Sequence, residues 1–109
     1  MAATYKVLGQ VNPSATTATT AYTVPSATET VISTITVANL GAAPATYRIA
    51  VRPNGETLAN KHYIVYDSGV APQSTDTLTI VITLDATYVV TVYASSASMA
   101  FNLFGSEIA

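Results

Sequence analysis

Residues 77–84 alternate, position by position, between threonine or valine and a large aliphatic side chain. Successive side chains of a β-strand point to opposite faces, so this period of two predicts an extended strand with one apolar face. The side chains predicted to face a core are Leu78, Ile80, Ile82 and Leu84. The opposite face would carry Thr77, Thr79, Val81 and Thr83. We therefore expect sheets whose outer surface presents hydroxyl and methyl groups in place of charges.

Similar stretches recur along the chain, separated by groups of turn-forming residues. The predicted strands are 5–11, 21–24, 30–38, 46–52, 61–66, 77–84, 88–94 and 99–104, and the predicted turns include 53–55, 67–69, 85–87 and 95–98. No segment has a convincing helical period, so the sequence predicts an all-β fold, a single antiparallel β-sandwich of about seven or eight strands. Both an Ig-like and a jelly-roll topology are compatible with this pattern.

The length of 109 residues is typical of one domain, so residues 1–109 are predicted to form a single β-sandwich. Within it, residues 1–20 are a candidate N-terminal arm followed by a Thr/Ala-rich loop. The composition of 15–20 leaves a loop and a weak edge strand both open. Because the chain has no cysteine, disulfides do not contribute to its stability.

Charged side chains are few: four cationic and six acidic residues give a net charge of −2. The cations are scattered singly, whereas nucleic-acid binding requires several clustered ones, so no nucleic-acid partner is expected. No apolar run approaches the roughly 20 residues needed to cross a bilayer, and no signal-peptide pattern is present at the amino terminus. The sequence therefore predicts a protein made in a cytoplasm, with no membrane partner.

Residues that could carry catalysis or bind a metal are scarce. His62 is the sole histidine, it is predicted to lie within a strand, and no Gly-x-Ser-x-Gly motif accompanies it, so a structural role is favoured. One histidine without cysteine cannot supply the usual zinc ligands. Asp67, Asp76 and Asp85 recur every nine residues, and we interpret them as turn-capping residues in preference to calcium ligands. We expect no enzymatic activity and no cofactor.

The pattern favours a protein that contacts other proteins. Arg48 and Arg52 are predicted to project from the same face of one strand, where they would either keep the surface soluble or reach a partner's carboxylates. The planar guanidinium group suits such an interface. Tyr5 and Tyr63 combine a large ring with a polar tip, which is also common in contact surfaces. We predict that these four residues contact a partner. The uncharged strand 30–38 is expected to be central or covered by another subunit.

Several segments resemble small structural proteins of the virions of tailed bacteriophages. The resemblance lies in residues 22–25 with 30–39, in 47–55, and in 90–108. It implies a β-sandwich in the virion that decorates the capsid or builds the neck, baseplate or fibre attachments. We expect a capsid decoration or cement protein that binds the major capsid protein, as a homo-oligomer and most simply a trimer. A tail-associated protein of the same virion is the alternative, and a carbohydrate-binding module for host recognition is a weaker one.

Overall fold

Eight β-strands make up most of the chain in the computed structural model, which describes residues 3–109. The strands are β1 (Ala3–Val11), β2 (Thr19–Thr23), β3 (Glu29–Asn39), β4 (Ala45–Arg52), β5 (Tyr63–Val70), β6 (Ser74–Leu84), β7 (Val89–Ala94) and β8 (Met99–Ile108). Two short 3-10 turns, Pro53–Gly55 and Asn60–His62, lie between β4 and β5. The all-β prediction is confirmed.

The strands form two antiparallel four-stranded sheets. Sheet A has the order β1-β8-β3-β6, and sheet B has the order β2-β7-β4-β5. The chain therefore pairs β1 with β8, β2 with β7, β3 with β6 and β4 with β5, like one long hairpin rolled into a sandwich. This nesting is the jelly-roll arrangement, so of the two topologies left open by the sequence the structure has the jelly roll.

The core lies between the two sheets and is built from the alternating inward side chains of both. Tyr47 and Ile49 of β4 are fully buried, as the alternation in 46–52 predicts. Tyr47 packs edge-on against Phe101 of β8 with 6.0 Å between ring centroids. The largest fully buried aliphatic and thioether side chains are Ile32, Ile35, Ile49, Met99, Leu103, Val24, Val37, Val90 and Val92.

Bulges in sheet A interrupt the regular alternation. At Ser33 the register of β3 shifts relative to both β8 and β6. In β6, residues 79 and 82 pair with residues 34 and 32 of β3, so β6 has one extra residue at this point. Ile32 and Ile35 are consequently both fully buried although they are three positions apart. The prediction that Ile80 faces the core is wrong: its side chain is 40% exposed at the bulge.

Other predicted elements are corrected at their boundaries. Residues 67–69 do not form a turn, because β5 continues to Val70. His62 lies in a 3-10 turn before β5 instead of within a strand. Residues 3–11 form an edge strand paired with β8 and not an arm, whereas residues 1 and 2 of the predicted arm lie outside the described residues. The tract 15–20 is mainly loop, with β2 beginning at Thr19.

Strand β3 has a central position between β8 and β6. Its lack of charge over residues 30–38 therefore follows from its place in the sheet, which was one of the two explanations offered by the sequence. The edges of sheet A are β1 and β6 instead. Residues 77–84 of the edge strand β6 are uncharged, so this edge lacks the lysines or prolines that commonly protect exposed strands.

Candidate interaction surfaces

The outer face of sheet B carries an arginine held between two aromatic rings. Arg48 of β4 projects outward, as predicted, and its guanidinium carbon lies 4.2 Å from the ring centroid of Tyr66 and 4.2 Å from that of Tyr93. The β-sheet register explains one of these contacts, because Arg48 and Tyr93 are direct cross-strand neighbours. A guanidinium group over an aromatic face is attracted by the ring quadrupole, so this arrangement fixes all three side chains.

A carboxylate completes this arrangement from a bulge in β5. The register between β4 and β5 shifts between Tyr47 and Ile49, and Asp67 at the bulge has a φ of 53°. Aspartate tolerates this left-handed backbone better than most residues. Its Oδ1 accepts a hydrogen bond from Nε of Arg48 at 2.7 Å, and its Oδ2 accepts one from Nη2 at 3.3 Å. The carboxylate raises the pKa of the Arg48 guanidinium above its ordinary value.

Tyr63 extends the aromatic cluster beyond Tyr66. The two rings meet edge to face with 5.0 Å between centroids, and together with Asn60 they line a shallow pocket. Tyr66 is 58% exposed, so the cluster is accessible from solvent. We call these side chains the arginine–tyrosine stack: Arg48, Tyr63, Tyr66, Asp67 and Tyr93. The stack offers rigid rings, a phenolic hydroxyl group on each tyrosine and a neutralised guanidinium group on one accessible surface.

Arg52 does not join the arginine–tyrosine stack. Its Nε donates to Oγ1 of the buried Thr91 at 3.1 Å, and its Nη1 donates to the backbone carbonyl of Glu56 at 2.9 Å. These bonds tie the segment after β4 to the sheet. The structure thus gives Arg52 an internal role, and its predicted contact with a partner stays a prediction.

His62 is enclosed by the same segment and is only 5% exposed. Its Nδ1 accepts a hydrogen bond from the backbone N–H of Ala59 at 3.0 Å, and its Nε2 lies 3.2 Å from Oε1 of Glu56. Both ring nitrogens are therefore engaged in holding residues 56–62 together. This geometry agrees with a structural role for His62.

The three regularly spaced aspartates lie in different places and bind different groups. Asp67 pairs with Arg48, Asp76 accepts a hydrogen bond from the Tyr47 hydroxyl, and Asp85 accepts one from the backbone N–H of Ala86. Only Asp85 has the turn-capping role that the sequence predicted for all three. Within residues 3–109 no group of three or more His, Cys, Asp or Glu side chains is arranged to hold a metal ion.

The outer face of sheet A carries few charges, because two of the carboxylates in its strands bond to tyrosines of sheet B. Glu107 of β8 pairs with Lys6 of β1 at 2.6 Å and accepts a hydrogen bond from Tyr22 of sheet B at 2.5 Å. The Lys6 ammonium, followed by the Tyr22 hydroxyl, lowers the pKa of Glu107. Asp76 is likewise bonded to a tyrosine of sheet B. The fourth charged residue in the strands of this sheet is Glu29, at the first position of β3.

Tyr5 lies on this second surface and is 84% exposed. It therefore does not come together with Arg48 and Tyr63, which lie on the opposite sheet, and the four predicted contact residues do not form one site. Sequence reasoning missed Tyr66 and Tyr93. Finding them requires the strand register and the β5 bulge, which the alternation pattern alone does not reveal.

Together the fold and these surfaces define a jelly-roll β-sandwich with a preformed arginine–tyrosine stack on one sheet and a largely uncharged face on the other. Comparison of the chain with protein-family models, curated proteins and solved structures finds no significant match. None of the helical segments within residues 3–109 has the length and hydropathy required to cross a membrane.

Proposed function

We propose that this protein is a non-catalytic structural component of a bacteriophage virion, a decoration or cement protein that binds the major capsid protein. The observation that carries the proposal is the arginine–tyrosine stack. Tyrosine and arginine dominate the energetic centres of protein interfaces, and here Arg48 is already fixed between Tyr66 and Tyr93 before any partner binds. Fixed side chains lose little conformational entropy on binding, so such a surface favours association.

Two further features support a place in a virus particle. The jelly-roll topology is common in viral capsid domains and in lectins, an analogy that concerns the fold alone. The segments 22–25 with 30–39, 47–55 and 90–108 also resemble phage structural proteins. A decoration protein would add buried interface between neighbouring capsid subunits, and the small gain at each contact is repeated over the whole shell.

The proposal is tested by adding the purified chain to capsids assembled without it. We expect the wild-type chain to bind and to raise the temperature at which the capsid dissociates. Tyr66→Ala and Arg48→Ala should each weaken binding by about tenfold or more, which is the usual effect at an interface hot spot. Leu40→Ala is the matched control, because Leu40 is 68% exposed on the loop after β3 and lies outside the stack. Failure of the wild-type chain to bind capsids, or equal binding by all variants, would contradict the proposal.

A tail-associated role in the same virion would use the same surface against another partner. It differs from capsid decoration in the number of copies per particle, which is low for a tail component.

A carbohydrate-binding function is the second candidate, and the shallow pocket of Asn60, Tyr63 and Tyr66 favours it. A tyrosine face can pack against the C–H groups of a sugar ring while an amide bonds its hydroxyl groups. A glycan array tests this directly. Binding that is lost in Tyr66→Ala and retained in Leu40→Ala would support it, whereas no signal for the wild-type chain would exclude it.

A further inference from the structure

The outer face of sheet A carries a groove lined mainly by apolar side chains. Tyr5 and Val7 of the edge strand β1, Phe104 of β8 and Val31 of β3 line this groove, which has a volume of about 580 Å³. Val81 at the bulge of β6 is 74% exposed at the other edge. We call this surface face A. Of the charged residues in its strands, Asp76 and Glu107 accept hydrogen bonds from tyrosines of sheet B. Lys6 lines the groove with its side chain 45% exposed, and Glu107 balances its charge at 2.6 Å.

Face A combines a projection with a depression. Tyr5 is the most exposed large hydrophobic side chain among residues 3–109, and it stands at the rim of the groove. The groove floor is formed where β8 and β3 approach closely, with Gly105 against the backbone of Val31. A surface that carries both a protruding ring and a groove of apolar walls can be complementary to itself.

We propose that face A binds a second copy of this chain about a two-fold axis, sheet against sheet. In a two-fold interface the same patch is used by both copies, so any charge near its centre would meet a charge of the same sign. Face A limits this repulsion because Lys6 is paired with Glu107, and Glu29 is at the first position of β3, at one end of the strand. Recognition of a charged partner would require an unpaired opposite charge at the groove, whereas Lys6, which lines the groove, is already paired with Glu107.

The size of face A is sufficient for a specific dimer. Its four strands are 9, 10, 11 and 11 residues long. At about 4.8 Å between strands and about 3.3 Å per residue, the face measures roughly 19 Å by 30 Å. Two such faces would bury on the order of 1,200 Å² in total, which is the lower end of the range for specific interfaces.

This inference differs from the trimer expected from the sequence. A closed trimer requires two different patches on each chain, whereas a single self-complementary patch closes as a dimer. The dimer also does not depend on the proposed role in a virion, because it is a property of the purified chain and uses the sheet opposite the arginine–tyrosine stack.

Sedimentation of the purified full chain over a range of concentrations tests the inference. We expect a monomer–dimer equilibrium in the wild-type chain, and a dissociation constant at least tenfold higher in Val81→Lys and in Tyr5→Lys. Leu40→Lys is the control of matched exposure and should dimerise like the wild-type chain. A wild-type chain that remains monomeric or forms trimers would overturn the inference. Dimerisation of both Val81→Lys and Tyr5→Lys with the wild-type dissociation constant would overturn it as well.

A second measurement requires no variant. Dilution of the isotope-labelled wild-type protein should shift the NMR signals of face A, including Tyr5, Val31, Phe104 and Val81, and leave those of Tyr66 and Tyr93 in place. Shifts confined to sheet B would contradict the inference.

Discussion

The hydroxyl group of Tyr47 in β4 donates a hydrogen bond of 2.5 Å to Oδ2 of Asp76 in β6, and this bond joins the two sheets of the sandwich. Tyr22 of β2 makes a corresponding bond to Glu107 of β8. The two carboxylates are well separated, since Asp76 is paired with Val37 of β3 whereas Glu107 is paired with Thr30. Tyr22 and Tyr47 thus each donate a hydrogen bond to a sheet A carboxylate that loses hydration between the sheets.

Tyr47→Phe should lower the free energy of unfolding by about 1–3 kcal/mol at neutral pH, because the Asp76 carboxylate loses its buried donor. Urea unfolding measures this change. Tyr66→Phe is the control, since Tyr66 is exposed. This substitution also removes one hydroxyl group, but it should change the free energy of unfolding by less than about 0.5 kcal/mol. Equal effects of the two substitutions would show that the Tyr47–Asp76 bond does not stabilise the fold.

Alkaline solution should destabilise the protein through the same tyrosines. Burial, followed by the hydrogen bond to a carboxylate, raises the pKa of both Tyr22 and Tyr47 from 10.0 to about 12. The unfolded chain therefore loses these protons first, and stability that is complete below pH 10 declines between pH 10 and 12. The slope is at most about 1.4 kcal/mol per pH unit for each tyrosine. Urea unfolding across this range should show a shallower decline for Tyr47→Phe than for the wild-type chain; parallel curves would contradict the assignment.

Acid solution should act through Glu107, whose pKa is lowered by Lys6 and by Tyr22. A carboxylate with a lowered pKa in the folded state stabilises the protein above its unfolded pKa, and this contribution is lost as the pH falls through the folded pKa. Glu107→Gln should therefore be less stable than the wild-type chain at pH 7, and the difference should shrink below about pH 4. Thermal unfolding from pH 7 to pH 2 measures it, with Glu29→Gln as the exposed control in the same sheet. A difference that is independent of pH would exclude the proposed role of the charge.

Two glycines in the strands should respond in opposite ways to alanine. A Cβ atom at Gly105 would lie 2.0 Å from the backbone oxygen of Val31, whereas one at Gly69 would have no neighbour within 4 Å. Gly105→Ala must push β8 away from β3, so we expect a large loss of stability or failure to fold. Gly69→Ala should fold normally and gain slightly, because alanine restricts the unfolded chain. Comparable melting temperatures for both variants would mean that the close approach of β8 to β3 is not required.

Much of the fold could be predicted from alternation alone, as β4 illustrates. The inward Tyr47 and Ile49 and the outward Arg48 follow from a period of two in a strand that has no internal bulge. Ile80 fails the same rule because it lies at the bulge in β6, whereas Leu78, Ile82 and Leu84 keep their predicted contact with the core. A bulge depends on the pairing with neighbouring strands, so it leaves no clear local signal in the sequence.

The candidate surfaces were harder to predict for the same reason. Asp67 is followed by Ser68 and Gly69, a sequence typical of a turn, yet it occupies a left-handed bulge inside β5 and bonds to Arg48. Tyr93 reaches Arg48 only through the register of β7 with β4. These contacts depend on strand order, which a single sequence does not contain.

The proposed place in a virion is tested most directly by counting this chain in purified phage particles by quantitative mass spectrometry. A capsid decoration protein repeats with the symmetry of the shell, so we predict on the order of hundreds of copies per particle. A count between a few and some tens would point to the tail instead and would contradict capsid decoration. Absence of the chain from purified particles would contradict a structural role in the virion altogether.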